Sequence, residues 1–489
     1  MLCFLVIIRT FVEEYLLLLL LIMIMKKILN WVLAATLICG TSVLTSCTSD
    51  NEDNSGQEQA KKDRKEFIEH TRKNLKEVAE NMNLSTWKSV NHFNMYFNQY
   101  VLLNDNFDKS LSRTFGEMIQ SSMQPAPEEL AKLGKKYLAT INIADFNYTF
   151  VSTQTGFDVK PNDDEGMVIE IESPLEGNSV KIAIKGTGSE YRQSNERMSN
   201  DSVQVAVNFA KHYELTLSTK ENGKWESHIV ANSDLTIEQD GNRPEGVPAN
   251  GTSIMNDAWN LKGTVVTNIP GDATAMEFNF GQDPRIHKAN MTLDYIHNGK
   301  KTIGLTTELT NRSGSTGAMS MMSPSGSILG LITVAMTGKS LDNLQLTLLD
   351  DLTTTFKVSD CAKVMKLQSE MAEARRQYAN QETIEGYVSQ LNELISGSMS
   401  CKGLNQEFPM RLATTPIGVD WWAMPALEFG DEKGYVPLNQ MLDQKSLEYC
   451  INIIDHASEP LQETGIIVRQ LIWALQKMNA SFMRTKPQK

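Results

Sequence analysis

Histidine is the side chain most often used to bind metals or to move protons, and seven histidines are spread along the 489-residue chain. None of them forms His-Glu-x-x-His or another pair at metal-ligand spacing on one helix. His287 and His297 bracket one predicted strand, whose ends would lie roughly 30 Å apart, so these two cannot share a metal by themselves. Gly186-Thr187-Gly188 lacks the third glycine and the following helix of a phosphate loop. The sequence therefore predicts neither a metal site nor a cofactor site.

Nucleophilic serines are the next candidates, and no Gly-x-Ser-x-Gly elbow occurs. Ser85 and Lys88 have the Ser-x-x-Lys spacing of penicillin-binding enzymes, which lets a helix place the lysine beside the hydroxyl. The companion Lys-Thr-Gly strand is missing, because Lys301-Thr302 continues with Ile303. We interpret Ser85 as a helix N-cap and predict no catalytic residue.

Carboxylates could still form the pair that a glycosidase needs, because the fold brings such residues together and no local spacing marks them. The densest acidic clusters are Asp163-Asp164-Glu165 and Asp350-Asp351, and both fit turns between strands. A glycan-acting hydrolase with dispersed carboxylates therefore stays an alternative to a non-enzymatic protein.

One cysteine lies in a sequence typical of covalent modification. Leu44-Thr45-Ser46-Cys47 follows a positive start at Met25-Lys26-Lys27 and an apolar stretch from Ile28 to Val43. This layout resembles the lipobox at which bacteria attach lipid to a cysteine and cleave just before it. We expect residues 25–46 to be a lipoprotein signal peptide and Cys47 to carry the lipid anchor. A retained transmembrane anchor is the alternative, but the small residues before Cys47 fit cleavage better.

Residues 1–24 contain a second apolar run, Leu16 to Ile24, that has no place in a signal starting at Met25. We expect Met25 to be the true first residue and residues 1–24 to be an over-extended gene start. An extra membrane pass is less favoured, since Glu13 and Glu14 would lie inside the apolar region.

Composition limits the partners. The net charge of −13 at pH 7 argues against nucleic acid, whose phosphates an acidic surface repels. After Cys47, only Cys361, Cys401 and Cys450 remain, an odd number in an export compartment that favours disulfides. At most one bridge can form among these three cysteines, and we favour three buried free thiols.

The chain after Cys47 divides by its hydrophobic periodicity. Residues 47–59 are polar and acidic, and we predict a disordered tether. Residues 60–142 follow a helical period, which predicts an N-terminal helical segment. Within it, the segment from Trp87 to Leu103 is rich in aromatic residues, which we interpret as part of the hydrophobic core. A further helix is predicted from Pro125 to near Thr140.

A period of two predicts about ten to thirteen strands over residues 146–358. Two hairpins in this region are near copies of each other. Leu215-Thr216-Leu217 precedes Asn222-Gly223, and Met291-Thr292-Leu293 precedes Asn298-Gly299, with both pairs offset by 76 positions. Asn-Gly between alternating runs is typical of a two-residue hairpin turn, which needs positive φ at both central residues. The region therefore predicts a large curved antiparallel sheet.

The helical period returns over residues 360–482, which predicts a C-terminal helical segment packing on the sheet. Within it, Phe408 to Tyr435 contains Pro409, Pro416 and Pro425 and predicts an irregular insert with Trp421 and Trp422 at its centre. Adjacent tryptophans in a loop could stack on sugar rings. The favoured alternative is that Trp421 and Trp422 fill a gap between sheet and helices.

The whole layout resembles a broad set of uncharacterised lipoproteins from Bacteroidales, through the lipobox leader, the helical start and the Asn-Gly hairpins at 215–224 and 291–300. Acidic Asp50, Glu52 and Asp53 after the cysteine also resemble the surface-export signal of Bacteroidota lipoproteins. The resemblance implies attachment to the outer membrane, on the cell surface or the periplasmic face, and assigns no functional residue except Cys47.

The sequence as a whole predicts an α+β lipoprotein, with a curved antiparallel sheet of hairpins flanked by N-terminal and C-terminal helices. We expect a non-enzymatic envelope protein that binds or scaffolds, with a carrier of hydrophobic ligands as an alternative. The expected partners are the membrane, through the lipid anchor, and a glycan, a hydrophobic ligand or another envelope protein. We expect no cofactor and no nucleic acid.

Overall fold

A computed structural model describes residues 54–81, 101, 104–122, 137–173, 179–188, 191–195, 203–238, 258–267, 274–283, 285–311, 338–404, 406–417, 420–431, 434–446, 448–449, 453, 467, 474, 477 and 481. The helices that it bounds are α1 (Asn54–Asn81), α2 (Asp105–Ser122), α3 (Cys361–Arg376), α4 (Gln381–Leu394) and α5 (Leu438–Met441), with a short 3-10 helix at Ile143–Asp145.

The described strands are β1 (Tyr137–Asn142), β2 (Tyr148–Ser152), β3 (Phe157–Pro161), β4 (Met167–Ile171), β5 (Val180–Thr187), β6 (Tyr191–Asn195), β7 (Val203–Phe209), β8 (His212–Glu221), β9 (Lys224–Glu238), β10 (Ala258–Thr267), β11 (Thr274–Asp283), β12 (Lys288–His297), β13 (Lys300–Thr310), β14 (Ser340–Leu348), β15 (Leu352–Val358), β16 (Ile395–Cys401), β17 (Glu407–Ile417), β18 (Asp420–Glu428) and β19 (Tyr435–Pro437). The protein is therefore rich in β structure with a few helices, in agreement with the predicted α+β class.

Sixteen of these strands form one sheet in the order β19-β18-β17-β16-β15-β14-β13-β12-β11-β10-β9-β8-β5-β4-β2-β3, and β1, β7 and β6 form a separate small sheet. Most neighbours in the large sheet pair antiparallel, as predicted, but the sheet is mixed because β2 and β4 are parallel. Strand β4 follows the β2–β3 hairpin but pairs with the other side of β2, and it therefore runs parallel to β2. In the small sheet, β1 and β7 are also parallel.

The chain divides into two compact units, each assembled from two segments that are distant in sequence. Unit 1 comprises Met1–Met82 with Lys300–Gln462, and unit 2 comprises Asn83–Gly299 with Glu463–Lys489.

Unit 1 is built around the apolar stripe of α1. Phe67, Leu75 and Val78 are buried at helical spacing, as the sequence pattern predicts. The Phe67 ring lies 5.1 Å from that of Phe408 and 5.6 Å from that of Phe429, in edge-to-face arrangements that stabilise aromatic clusters. Helix α1 therefore belongs to the core of unit 1.

Unit 2 buries one face of its strands and leaves the other exposed. Inward positions along β8 to β12 are apolar, for example Leu215, Ala231, Leu261, Met276 and Leu293, and the residues between them are mostly polar. This alternation is typical of an antiparallel sheet with one solvated face.

Helix α2 belongs to the same unit. The ring centres of Phe107 on α2 and Phe150 are 5.3 Å apart. Phe115 of the same helix stacks on Phe146, with their ring centres 4.8 Å apart. The acidic side chains Asp105 and Asp108 lie in the first turn of α2, where they interact favourably with the helix dipole.

Both Asn-Gly turns adopt the predicted conformation. Asn222 and Gly223 have φ values of 51° and 77°, and Asn298 and Gly299 have φ values of 51° and 74°. Two consecutive residues with positive φ define the hairpin turn whose twist matches that of the flanking strands.

Three predicted segments differ in the structure. Helix α1 begins at Asn54, so residues 54–59 of the predicted tether are helical. Residues 137–140, the predicted end of the helix from Pro125, belong to strand β1. The earlier part of that predicted helix lies outside the described residues. The C-terminal helical segment contains four strands, β16 to β19, and the predicted irregular insert Phe408 to Tyr435 is mostly β17 and β18. Trp87 to Tyr100 lies outside the described residues.

Candidate functional site

An open groove of about 970 Å³ lies on unit 2, across strands β5, β8, β9, β10, β11 and β12. We call it the polar groove and define it by its outward-facing side chains, which are Lys185, Thr187, His212, Glu214, Asn232, Asp234, Lys262, Thr264, Glu277, Asn279, Thr292 and Asp294. These residues alternate along each strand with buried, inward-facing positions. Every one of these outward-facing side chains is polar or charged.

Strand register places half of these side chains in one row that crosses all six strands. Each member is directly opposite the next, in the order Lys185, Glu214, Asn232, Thr264, Glu277 and Asp294. Directly opposite residues in an antiparallel sheet have Cβ atoms about 4.5–5.5 Å apart, so neighbours in this row can contact a common ligand.

A second row lies beside the first and is aligned by the same pairings. Its members, again in strand order, are Thr187, His212, Asp234, Lys262, Asn279 and Thr292. Both rows belong to hydrogen-bonded strands rather than to loops, and sites on strands hold their side chains in a fixed geometry.

A glycine keeps the strands beneath the groove close together. An added Cβ at Gly263 would lie 2.0 Å from the backbone oxygen of Asn232 and 2.8 Å from the Cα of Ser233. No side chain fits there without moving the neighbouring strand. Gly263 therefore maintains the spacing of β9 and β10, which carry four of the groove side chains.

Charges in the groove are partly paired. Lys185 lies 2.8 Å from Asp164, and His212 Nδ1 contacts the carboxylate of Asp234. The groove side chains comprise two lysines and four carboxylates, those of Glu214, Asp234, Glu277 and Asp294. The groove is therefore slightly acidic and presents both hydrogen-bond donors and acceptors.

The acidic clusters predicted to lie in turns do so. Asp164 has a φ of 60° between β3 and β4, and Asp350 has a φ of 54° between β14 and β15. Lys181 lies 2.7 Å from Glu165, so that cluster is paired with basic side chains on β5. Neither cluster lines the polar groove.

Asp351 forms a second polar centre, in unit 1. It accepts hydrogen bonds from Asn74 Nδ2 at 2.7 Å, from the Lys402 backbone N–H at 2.8 Å and pairs with His70 Nδ1 at 3.1 Å. Partial burial raises the pKa of Asp351, but the hydrogen bonds from Asn74 and His70 outweigh burial and hold the pKa below its ordinary value. The carboxylate thereby joins α1 to the turn between β14 and β15.

The two described cysteines after the leader, Cys361 and Cys401, are both buried. Burial, helped by the negative charge of Asp351, raises the pKa of the Cys401 thiol to about 11. A thiol with such a pKa is almost entirely protonated at neutral pH and is a poor nucleophile. This environment argues against a nucleophilic role for Cys401, and Cys450 lies outside the described residues.

Trp421 and Trp422 lie on strand β18 rather than in a loop. Trp422 packs against buried Met424, and the guanidinium carbon of Arg375 on α3 lies 3.3 Å from the centre of its ring. This cation–π contact supports the predicted packing role for Trp422. Trp421, the preceding residue of the strand, points to the opposite face and is partly buried. A ligand contact for this pair stays a prediction.

Cys47, Ser85 and Lys88 lie outside the described residues. The two histidines that bracket β12 are at its ends, with His287 at a φ of 54° before the strand and His297 as its last residue. Across the described ranges, no group of three or more His, Cys, Asp or Glu side chains could hold a metal.

Sequence reasoning missed the polar groove. Its side chains come from six strands between residues 185 and 294, and each strand contributes only two of them. The available signal was the frequency of Asn, Thr, Asp and Glu at outward positions of β8 to β12, which is also typical of an ordinary solvated face.

No described helix is both long enough and apolar enough to cross a membrane. Comparison with known proteins gives no match to a protein-family model, to a curated protein or to a solved structure.

Proposed function

We propose that the chain is a lipoprotein of the cell envelope that binds a hydrophilic ligand without altering it chemically. The polar groove carries this proposal, because it is an open, polar site of about 970 Å³ built on paired strands. Its size lies within the range of ligand-binding clefts. The sequence Leu44-Thr45-Ser46-Cys47 supports attachment to the outer membrane through a lipid on Cys47.

The start of α1 limits how far the folded chain lies from such an anchor. Asn54 is seven residues after Cys47. Seven fully extended residues span at most about 25 Å. The anchor would therefore hold unit 1 close to the membrane, as befits a protein that presents a binding site at the envelope.

A glycan-acting hydrolase is the second candidate, because Glu277 and Asp294 are directly opposite each other in the groove. A pair of carboxylates on neighbouring strands is the type of residue pair that glycosidases use. A glycosidase site excludes most water from around the scissile bond, whereas this groove is open, Glu277 is exposed and Asp294 is only half-buried. The geometry therefore favours binding over hydrolysis.

The carrier of hydrophobic ligands is less favoured by this site. The outward side chains of the groove are all polar or charged, and an apolar ligand would have to desolvate them without replacing their hydrogen bonds.

Labelling with a fatty-acid analogue tests the anchor. Cells expressing the full chain or its Cys47→Ala variant are fed an alkyne-bearing palmitate, and membranes are washed at alkaline pH. We expect label and membrane retention in the wild type and loss of both in Cys47→Ala, while Cys39→Ala in the leader serves as the matched control. Retention of label by Cys47→Ala would overturn the lipoprotein proposal. Protease treatment of intact cells then distinguishes the cell surface from the periplasmic face.

A further inference from the structure

We infer that the polar groove binds a neutral oligosaccharide that lies across the strands of unit 2. This inference rests on the binding role proposed above and names the class of ligand.

The first argument is hydrogen-bond complementarity. Sugar hydroxyls donate and accept hydrogen bonds at closely spaced positions, so they need a surface on which donors and acceptors alternate. Within the first row, Lys185 donates, Glu214 accepts, Asn232 and Thr264 do both, and Glu277 accepts. The second row repeats this mixture with Asp234, Lys262 and Asn279.

The second argument is shape. Six neighbouring strands separated by 4.7–4.9 Å give rows of about 24 Å. A linear chain of several sugar units matches a long, open groove of this kind better than a compact metabolite does. Because the two rows are parallel, such a chain would contact both of them along its length.

Charge excludes a polyanion as the preferred ligand. The groove has four carboxylates, Glu214, Asp234, Glu277 and Asp294, and only two lysines, Lys185 and Lys262. Phosphate or sulfate groups would be repelled by this excess of negative charge.

A peptide also fits poorly. Peptides that bind sheets commonly add to an exposed edge strand through backbone hydrogen bonds. Strands β8 to β11, at the centre of the groove, have partners on both sides. Two aromatic residues, Tyr213 and Phe278, also line the groove, but they are only 4% and 2% exposed and offer little of the anchor surface that dominates protein interfaces.

The test uses the mature lipidated protein, extracted in detergent, and an array of neutral oligosaccharides, with heparin and polygalacturonate as polyanionic probes. The best neutral probe is then titrated by calorimetry. We expect binding of a neutral probe and no preference for either polyanion. Failure to bind any neutral probe, or tighter binding of a polyanion, would overturn the inference.

Substitutions locate the binding site. Glu214→Ala and Glu277→Ala each remove an exposed acceptor from the first row, and we expect each to weaken binding about tenfold or more. Glu226→Ala is the control, because it removes an exposed glutamate of β9 that does not line the groove. Unchanged affinity in both groove variants, with unfolding temperatures equal to the wild type, would contradict the site.

The same samples separate this inference from the proposed function. Release of reducing ends from the bound oligosaccharide would support the site but replace the binding role with hydrolysis. Loss of the anchor in Cys47→Ala cells would leave binding in the groove unaffected, because the groove is lined by residues between 185 and 294 and not by the lipidated segment.

Discussion

Asp351 shows how a single carboxylate can organise a contact between elements distant in sequence. Its three hydrogen-bond donors come from α1 and from the residue after β16. Leaving such donors unsatisfied in a partly buried site costs more free energy than the bonds themselves contribute. The adjacent Asp350 has no comparable role, since its side chain is 58% exposed.

We predict that Asp351→Asn lowers the free energy of unfolding by about 1–3 kcal/mol at pH 7. The folded-state pKa of Asp351 lies below its ordinary value of 3.8, so its charge stabilises the fold above that pH. This contribution is lost as the pH falls through the lower folded-state pKa. The difference between wild type and variant should therefore shrink below about pH 4, as measured by urea denaturation at several pH values.

Asp350→Asn is the control for this experiment. Asn tolerates the positive φ of position 350, so we expect a change within about 0.5 kcal/mol. Equal stability and equal pH dependence in the two variants would rule out the stabilising role of Asp351.

At the scale of elements, the sequence predicts what depends on local chemistry. The Asn222-Gly223 and Asn298-Gly299 turns and the stripe of α1 are specified by neighbouring residues, and all three agree with the structure. Strands β17 and β18 were missed because Pro409, Pro416 and Pro425 suggest loops. In the structure these prolines lie opposite Ser398, Trp421 and Leu412, so the sheet accommodates them within paired strands.

The polar groove could not be predicted for a different reason. Its two rows depend on the register of six strands, and register is set by the whole inward hydrophobic pattern together with the turns. A shift of one residue in β10 would replace Lys262 and Thr264 with Gly263 and a buried apolar neighbour, Leu261 or Val265, and would interrupt both rows.

Gly263 provides a test of that spacing. We predict that Gly263→Ala destabilises unit 2 by about 3 kcal/mol or more, because its Cβ would overlap the Asn232 backbone oxygen and β9 and β10 would have to separate. Gly116→Ala in α2 is the matched control, since an added Cβ there meets nothing within 4 Å. We expect that control to gain about 0.5–1 kcal/mol through its higher helix propensity. Urea denaturation of both variants measures the difference, and a loss for Gly263→Ala no greater than for the control would contradict the packing described.

At the scale of the whole molecule, each unit is completed by a segment that is remote in sequence. Unit 1 requires residues from both sides of the 83–299 segment. Hydrophobic periodicity identifies such segments but does not say which partner each one joins, so the assignment of α1 to unit 1 was beyond the sequence. Contacts between such distant segments close long loops of the chain. Loop closure costs conformational entropy, and this cost makes folding slow.

Truncation from the amino terminus should reveal this dependence. A chain that starts at Asn54 keeps all of α1, whereas a chain that starts at Met82 loses the buried side chains of Phe67, Leu75 and Val78. Burial of three such side chains contributes roughly 5–9 kcal/mol, which is comparable with the whole stability of a domain. We therefore predict that the chain starting at Asn54 unfolds at the wild-type temperature, and that the chain starting at Met82 exposes residues 300–462 to protease at 37 °C. Calorimetry and mass spectrometry of the fragments measure both outcomes, and equal protection of 300–462 in the two chains would show that α1 is dispensable to unit 1.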